Sequence, residues 1–437
     1  MAEKGVRDFT SYLHAAGNML DSFTHFRGQK REAKLLVMAL LLSGFGGTLN
    51  GFILLLYVTQ LGLSPVFYGT LMLISGMMTI ATLLFSGYLS DKVGRKRVLA
   101  AGLLLSTLGS ASFFLFTDSQ AVWGLMLAVA LGGIAGGLSG PASNAFLSEL
   151  STESDRKYLF SFSSFVGTVG AAIGTILGGL IPGIFMGTFG YELLSSYRMV
   201  FFFAVFFQLA ALLVLVAVKN GMGRPAERPA AKATPRDVRK LIAMFSMPMA
   251  MIGFGAGFVI PYFQVFFQRQ FDADITSIAA AFMLNNAVMA LALLLIPKAA
   301  ERMGSVKAML ATQGIAVVIL SIIPFVYPPF FWVSVGLFVA RMVLMNVSGP
   351  VLTSFMLCVV PEENRGAASS ATMFAWMGAN AVGTFLGGPS WALGANYLVN
   401  FAICIALYIG GLSLYAIFFF GMDDRKRREG CAQPHSN

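Results

Sequence analysis

Long apolar runs recur along this chain, and they limit its possible folds more than any other feature of the sequence. Two examples are "LLVMALLLSGFGGTLNGFILLLYV", starting at position 35, and "MVFFFAVFFQLAALLVLVAV", starting at position 199. Each run reaches the roughly 20 residues that a helix needs to cross a bilayer. Charged residues make up only 11% of the chain, against about a quarter in soluble domains. Because segments that alternate like membrane strands are absent, the sequence predicts an all-α polytopic membrane protein.

Turn and charge signals between the apolar runs divide the chain into twelve predicted spans. Six lie at 35–60, 66–89, 97–117, 121–149, 157–185 and 197–218, and six lie at 239–267, 274–297, 305–327, 330–358, 366–391 and 395–420. The segment between the two sets is rich in Pro, Ala and basic residues, which is typical of a linker. The predicted domains are a leader (1–34), an N-terminal six-helix bundle (35–218), the linker (219–238), a C-terminal six-helix bundle (239–421) and a basic cytoplasmic tail (422–437).

Basic residues are distributed unequally between the loops. With the N-terminus placed in the cytoplasm, all but three of the 30 Lys and Arg residues lie on the cytoplasmic side. Arg198 and Arg269 fall on the other side, and Arg341 lies within a span. This bias predicts that both termini are cytoplasmic. The net charge of +10 is then a topology signal, so we expect the lipid bilayer and no nucleic acid as a partner.

The leader carries apolar residues at nearly helical spacing, from Phe9 to Phe26. This spacing is compatible with an interfacial amphipathic helix and equally with an ordinary frayed terminus. The leader lacks the features of a cleavable signal peptide. Short loops and the lack of an organelle signal favour the plasma membrane, as a prokaryotic inner membrane.

The two sets of spans carry similar short sequences at a constant distance. "GAAIGTILGG" (170–179) recurs as "ANAVGTFLGG" (379–388), a shift of 209 positions. The same shift pairs the two "SGP" triplets, which begin at 139 and 348, and it pairs Arg156 with Arg365. A shift of 210 pairs Asp91 with Glu301. Such repeats predict two six-helix halves related by an axis along the membrane normal, with the substrate bound between them.

The loop after the second span, "GYLSDKVGRKR" (87–97), concentrates charge in an otherwise apolar chain. It resembles the G-x-L-x-D-x-x-G-R-(R/K) signature of the major facilitator superfamily, and the resemblance covers nearly the whole chain. The resemblance implies a secondary transporter with two pseudo-symmetric halves that alternate access by a rocker-switch motion. It also implies a cytoplasmic gate, in which Asp91 meets the start of helix eleven near Gly366. The residues assigned to this gate are Gly87, Asp91, Gly94, Arg95, Lys96, Glu301, Arg156 and Arg365.

The same charges could instead form a solvated turn between two helices, without a role in a gate.

Two departures from the family patterns are visible elsewhere in the chain. Thr175 stands where the fifth-helix pattern of many antiporters has proline, and Gly132 stands where many proton-coupled members have arginine.

Small residues recur every four positions in the repeated segments, which allows helices to approach closely. A static packing role and a hinge role both fit this pattern. The residues concerned are Gly170, Gly174, Gly178, Gly179, Gly383, Gly387 and Gly388. Pro141 and Pro350 are expected to kink spans four and ten, because proline removes a backbone donor.

Arg341 is the one charge predicted in the middle of a span. An arginine there costs roughly 2.5–3.5 kcal/mol on insertion scales and usually faces a cavity or a partner. We expect Arg341 to line the central cavity and contact the substrate; the alternative is a structural donor to carbonyls of span seven or eleven. The uncharged polar residues proposed to bind substrate with it are Asn346, Asn50, Asn144, Tyr262, Gln264, Asn380 and Trp376.

Acidic side chains and histidines are missing from the interiors of the predicted spans. The three histidines lie in the tails, and the acids lie in termini, loops or span ends. The three cysteines show neither metal nor disulfide spacing and are interpreted as packing residues. We therefore expect no enzyme, no cofactor and no metal, whereas protons stay a candidate coupling ion through a carboxylate at the rim.

A mostly apolar cavity with a few amides and one arginine suits a small amphipathic or weakly anionic compound better than a sugar, because each unmet polar group in a dry site is costly. The sequence thus predicts a monomeric transporter of such small molecules, working outward. Uptake of an anionic metabolite is the main alternative, and a non-transporting receptor with the same fold is a further one.

Overall fold

The computed structural model describes residues 29–116, 121–151, 156–219, 235–295, 305–392 and 396–428. Within these ranges the chain forms helices and no strand. The helices of the first half are α1 (Arg31–Gln60), α2 (Pro65–Val93), α3 (Arg95–Leu115), α4 (Ala121–Leu150), α5 (Arg156–Phe189) and α6 (Leu193–Ala217). The helices of the second half are α7 (Arg236–Val259), α8 (Phe263–Phe271), α9 (Ile275–Leu295), α10 (Ser305–Ile322), α11 (Phe331–Val347), α12 (Gly349–Val359), α13 (Arg365–Gly387) and α14 (Leu398–Arg428).

Each of the twelve predicted spans coincides with one helix or with two consecutive helices, so the all-α polytopic architecture is confirmed. Ten of the described helical stretches are long and apolar enough to cross a membrane. α9 contributes a shorter apolar stretch, Ile275–Met289. α13 is not among the ten, because its sequence contains Gly, Ser, Thr and Asn residues, which lower its hydropathy.

Two spans of the second half are interrupted rather than continuous. A short 3₁₀ helix, Ile260–Tyr262, separates α7 from α8. Ser348 separates α11 from α12, two residues before Pro350. The proline thus lies in the first turn of a new helix, where its missing N–H leaves no hydrogen bond unmade. Pro141, by contrast, lies inside the continuous helix α4.

The chain forms two compact units. Unit 1 comprises Met1–Tyr57 and Met77–Glu227, and unit 2 comprises Val58–Gly76 and Arg228–Asn437. The predicted domain boundaries follow the chain order, whereas the first part of α2 belongs to unit 2. Most of the predicted leader (1–34), linker (219–238) and tail (422–437) lies outside the described residues.

In unit 1, small residues of α5 face α1. A Cβ atom added to Gly170 would lie 2.7 Å from Leu41 Cδ1, and one added to Gly178 would lie 2.9 Å from Phe52 Cδ1. Both distances are shorter than ordinary van der Waals contact. The four-residue repeat therefore follows the line along which the two helices touch.

Unit 2 repeats this packing between α13 and α7. In unit 1, a Cβ on Gly174 would lie 3.4 Å from the carbonyl oxygen of Phe45. In unit 2, a Cβ on Gly383 would overlap the carbonyl oxygen of Phe254. Both residues of the second pair lie 209 positions after those of the first. The duplication read from the sequence thus has a counterpart in the packing inside each unit.

The other repeated glycines are also tightly surrounded. A Cβ on Gly387 would lie 2.9 Å from Phe258 Cα, and one on Gly388 would lie 2.8 Å from Val66 Cα. Gly179 is buried. The contacts of Gly387 and Gly388 involve backbone atoms, which cannot move aside as a flexible side-chain end can.

The cysteines give a mixed result. Cys404 is free and buried, as expected of a packing residue. Cys358 is disulfide-bonded, so its interpretation as a packing residue is wrong. Spacing along the chain does not limit which side chains a fold brings together, and this is why sequence spacing misses such a bond.

We expect Gly383→Ala to lower the stability of the protein by about 1–3 kcal/mol, the usual cost of overpacking. The cause is the overlap of the added Cβ with the backbone of α7. Gly366→Ala is the matched control, because a Cβ at that position of α13 meets nothing within 4 Å. The apparent melting temperature of the detergent-purified protein measures both effects. Equal melting temperatures for the two variants would contradict the prediction.

Candidate functional site

A cavity of about 390 Å³ lies within unit 2. Its volume falls in the range of roughly 300–1,000 Å³ that is common for ligand pockets. The walls come from α7, α10, α11, α12, α13 and α14. The lining residues are Met249, Ile252, Ala256, Ile260, Pro261, Gln313, Arg341, Met342, Met345, Asn346, Gly349, Leu352, Trp376, Asn380, Tyr408 and Tyr415. Mostly apolar walls with a few polar groups are typical of a small-molecule site.

Arg341 on α11 is buried and lines this cavity. Its Nη2 donates a hydrogen bond of 2.5 Å to the hydroxyl of Tyr408 on α14. Its Nη1 lies 2.8 Å from the sulfur of Met342, which is a weak acceptor. Its Nε has no hydrogen-bond partner among the described residues. The guanidinium therefore retains donor capacity, in a planar arrangement that matches a carboxylate.

No carboxylate neutralises this guanidinium among the residues described. None of the lining residues of the cavity is acidic. An ion pair within the described ranges, Arg95 with Glu149, lies in unit 1. An anionic group on a ligand would supply the missing charge and strong, charge-assisted hydrogen bonds.

Three further predicted binding residues line the same cavity. Asn346 is one turn after Met342 and donates 2.7 Å to its carbonyl oxygen. Asn380 on α13 donates 3.2 Å to the carbonyl oxygen of Gly253 on α7. Trp376, one turn before Asn380, is 37% exposed. The cavity thus gathers Arg341 and three uncharged polar side chains from two helices.

The other predicted binding residues of unit 2 lie outside the lining. Tyr262 is fully buried, donates 2.6 Å to the carbonyl oxygen of Thr384, and stacks on Trp391 with ring centres 5.5 Å apart. Gln264 is buried at the start of α8. Neither residue is among those that line the cavity.

The predicted binding residues of unit 1 lie on different helices. Asn50 on α1 donates 2.6 Å to Ser110 on α3, and its Oδ1 has no partner in the described ranges. Asn144 lies on α4 and is exposed.

A second group of polar contacts lies where α2 meets α3, also in unit 1. Gly94 joins the two helices with a φ of 100°, a value that glycine adopts without strain. Arg95 pairs with Glu149 at 2.8 Å and donates 2.9 Å to the carbonyl oxygen of Ala145, both on α4. Lys96 donates to the carbonyl oxygens of Val216 and Val218, at 3.0 and 2.5 Å.

These bonds give the two bases a structural role in unit 1. α6 ends at Ala217, so Lys96 satisfies carbonyls that lack a helical partner and places a positive charge at the negative end of the helix dipole. Arg95 holds α3 to the end of α4. The two side chains are therefore more than solvated charges of a turn.

The remaining predicted gate residues are described only in part. Gly87 lies within α2, and Arg365 is the first residue of α13. Asp91 and Arg156 have a helical backbone, but their side chains fall outside the described part of the structure. Glu301 lies outside the described residues.

The family model of the Major Facilitator Superfamily matches residues 36–384, which is most of the chain. The chain belongs to the Major Facilitator Superfamily. This confirms the resemblance seen in the loop after the second span. Membership of this superfamily indicates a secondary transporter and a multi-pass membrane protein.

Among relatives in the superfamily, the multidrug resistance protein MdtG of Citrobacter koseri is 26% identical over 428 residues, in a match that covers 92% of this chain and 97% of MdtG. The multidrug resistance protein 1 of Bacillus subtilis is 24% identical over 327 residues, covering 73% of this chain and 79% of that protein. The transporter YqjV of Bacillus subtilis is 28% identical over 158 residues. The chain spans only 38% of the length of YqjV in that match.

Solved structures of superfamily transporters share the fold. A variant of the nucleoside transporter NupG superposes with a TM-score of 0.70 at 17% identity, covering 88% of this chain and all of that one. The D-xylose-proton symporter gives a TM-score of 0.68 at 18% identity, covering 89% of this chain and 97% of that one. At such low identity the likeness shows the fold alone.

Three polar residues line the cavity of this superfamily member without being predicted from its sequence: Gln313, Tyr408 and Tyr415. Gln313 is an amide in the middle of an apolar run, which is a usable signal. The two tyrosines are seven residues apart, which places them on one face of α14. Tyrosine is common at membrane interfaces, so this spacing alone does not point to a cavity.

We expect Arg95→Gln to destabilise this superfamily member by about 1–3 kcal/mol, because it leaves the partly buried carboxylate of Glu149 without its charged partner. Arg97→Gln is the matched control, since Arg97 is an exposed base on the same turn. Apparent melting temperatures provide the measurement. If both variants melt at the same temperature, the ion pair does not hold α3 to α4.

Proposed function

We propose that this chain exports small amphipathic, weakly anionic organic compounds by rocker-switch alternating access. The observation that carries the proposal is the guanidinium of Arg341, which lines the cavity with no acidic side chain among the lining residues. A substrate anion would complete its hydrogen bonds and offset part of the cost of a charge at that depth.

The rest of the cavity supports an amphipathic substrate. Met249, Met342 and Met345 supply flexible, polarisable surface that adapts to varied shapes. The polar groups are few, and the amide nitrogens of Asn346 and Asn380 already donate within the protein. A sugar would bury many hydroxyl groups without partners against such walls, at a substantial cost for each.

Outward transport is supported by what the relatives are called. MdtG and the multidrug resistance protein 1 both carry multidrug resistance in their names, and each match covers most of both chains. The location and topology proposed with it are a bacterial inner membrane and cytoplasmic N- and C-termini. The positive-inside bias supports this topology.

The gate and the coupling ion are also part of the proposal. Gly87, Asp91, Gly94, Arg95 and Lys96 would form the cytoplasmic gate, joined by Arg156, Glu301 and Arg365. Protons are the proposed coupling ion. A relative named as a Na⁺, Li⁺, K⁺/H⁺ antiporter, from Planococcus maritimus, supports this, with 29% identity over 133 residues.

Uptake of an anionic metabolite is the second candidate. The same guanidinium favours it, because a fixed positive charge selects an anion whichever way the substrate moves. An uptake carrier is expected to have a narrow substrate range. An exporter whose cavity walls are rich in methionine is expected to accept a broad range of substrates.

Transport in proteoliposomes tests the proposal, with salicylate and fluorescein as anionic probes and ethidium as a cationic one. We expect the anions to move, and Arg341→Ala to slow them at least about thirtyfold, equivalent to the loss of 2 kcal/mol or more when one partner of a buried charge pair is removed. Arg341→Lys should keep part of the rate, because it keeps the charge but not the planar fork.

Arg239→Gln is the control, because Arg239 is an exposed base on α7, a helix that also contributes to the cavity. Right-side-out and inverted vesicles with an imposed pH gradient give the direction and the coupling. Wild-type rates for anions in Arg341→Ala would rule out the proposed anion contact.

A further inference from the structure

A smaller chamber opens beside the main cavity in unit 2. Its volume is about 120 Å³, and its lining residues are Phe245, Met249, Gly349, Leu352, Thr353, Met356, Thr372 and Tyr415. Four of these, Met249, Gly349, Leu352 and Tyr415, also line the main cavity. The two spaces are therefore neighbours along α7 and α12. For scale, an engineered apolar cavity of about 150 Å³ admits benzene.

The hydroxyl donors of this side chamber are already used inside the protein. Thr353 donates 3.0 Å to the carbonyl oxygen of Gly349, and Thr372 donates 2.9 Å to that of Ala368. The hydroxyl of Tyr415 lies 3.3 Å from the carbonyl oxygen of Phe245 and donates to it. Each hydroxyl has a single proton to donate. A ligand in the side chamber would thus be held by apolar contact.

The main cavity, unlike the side chamber, contains buried polar atoms whose hydrogen-bonding capacity is not used by the described residues. Two polar atoms that are buried there have no partner within the part of the chain that the structure describes: Nε of Arg341, a donor, and Oε1 of Gln313, an acceptor. Both side chains are more than nine-tenths buried. Gln313 is held in place by its amide nitrogen, which donates 2.7 Å to the hydroxyl of Ser348. The donor at Arg341 favours an anionic head group at this end.

The two spaces lie in sequence along one pair of helices. From Arg341 to Leu352 the chain follows α11, the break at Ser348 and the first turn of α12. At 1.5 Å per residue this is about 16 Å of helix axis. One extended molecule can therefore reach from the guanidinium into the side chamber.

We propose that unit 2 binds an organic monoanion with a linear apolar tail, the anionic head on Arg341 and the tail in the side chamber along α12. This inference rests on the proposed function and deepens it, because it specifies which part of the substrate each space holds. The side chamber then selects substrates by tail length, a property that Arg341 alone cannot provide.

The test uses purified full-length protein and the carboxylates butyrate, octanoate and dodecanoate. The methyl ester of each acid is the matched neutral ligand, since it enters detergent at least as readily as the acid. Binding is followed by the fluorescence of Trp376, which lines the cavity, and Trp376→Phe shows that the signal comes from this residue. We expect each acid to bind more tightly than its ester, and Arg341→Ala to abolish this difference.

Affinity for the acids should also rise with tail length, by up to about fourfold for each methylene that enters the side chamber, which corresponds to about 0.8 kcal/mol. Thr353→Phe places a ring in the side chamber and should remove the advantage of octanoate and dodecanoate over butyrate. Butyrate binding should not change in this variant, which also shows that it is folded. Val351→Phe is the control, because Val351 lies on α12 but lines neither space.

The outcomes separate the two proposals. If Thr353→Phe and Val351→Phe give the same length dependence, or if wild-type affinity does not depend on tail length, the side chamber does not hold a tail. A preference for acids over esters that depends on Arg341 would then still support the proposed function. If esters bind as tightly as acids in the wild type, Arg341 does not hold an anionic head, and both proposals fail.

Discussion

The hydrogen bond between Arg341 and Tyr408 joins α11 to α14 inside unit 2. A guanidinium within an apolar bundle is costly unless its donors are satisfied, and this protein satisfies them only in part. One nitrogen bonds the tyrosine, one faces a sulfur, and the third has no partner among the residues that the structure describes. The space in front of the guanidinium consequently suits an anion better than an apolar side chain. The polarity of the cavity and the proposed substrate class depend on this one charge.

The break between α11 and α12 lies where the main cavity meets the side chamber. Backbone groups released by a break within a membrane need partners inside the protein. Gln313 supplies one, since its amide nitrogen donates 3.4 Å to the carbonyl oxygen of Met345, just before the break. Gly349 and Leu352, just after the break, line both the main cavity and the side chamber. A local interruption of the helix and the continuity of the two spaces thus occur at the same point.

Close helix contact is the other constraint, and the two units satisfy it in the same way. Glycines of α5 lie against α1, and glycines of α13 lie against α7. In each unit one glycine faces the carbonyl oxygen of a phenylalanine, Phe45 or Phe254. A gene duplication that preserves a backbone contact must preserve the absence of a side chain at that point. The repeat visible in the sequence therefore reflects the same helix packing in both units.

The sequence by itself determined the all-α architecture, the positions of the apolar spans and the superfamily, and it singled out Arg341 as a candidate binding residue. Apolar run length, charge bias and glycine spacing are local properties. Each can be read from one segment, or from two segments that lie a fixed number of residues apart. It also placed Asn346, Trp376 and Asn380 among the cavity residues, because all three are polar groups deep in a predicted span. It could not separate them from Tyr262 and Gln264, which have the same chemistry and depth but lie outside the lining.

Only the tertiary structure decided which polar residues share a cavity. Tyr408 and Gln313 became part of the site because α14 and α10 bring them to Arg341 and to the break at Ser348. The same holds for Lys96, whose partners are carbonyls at the end of α6, far away in the sequence. The physical reason is that hydrogen bonds and cavities form between helices, so they depend on the rotation of each helix about its own axis. That rotation is fixed by packing against all neighbouring helices at once. No single segment of the sequence contains this information.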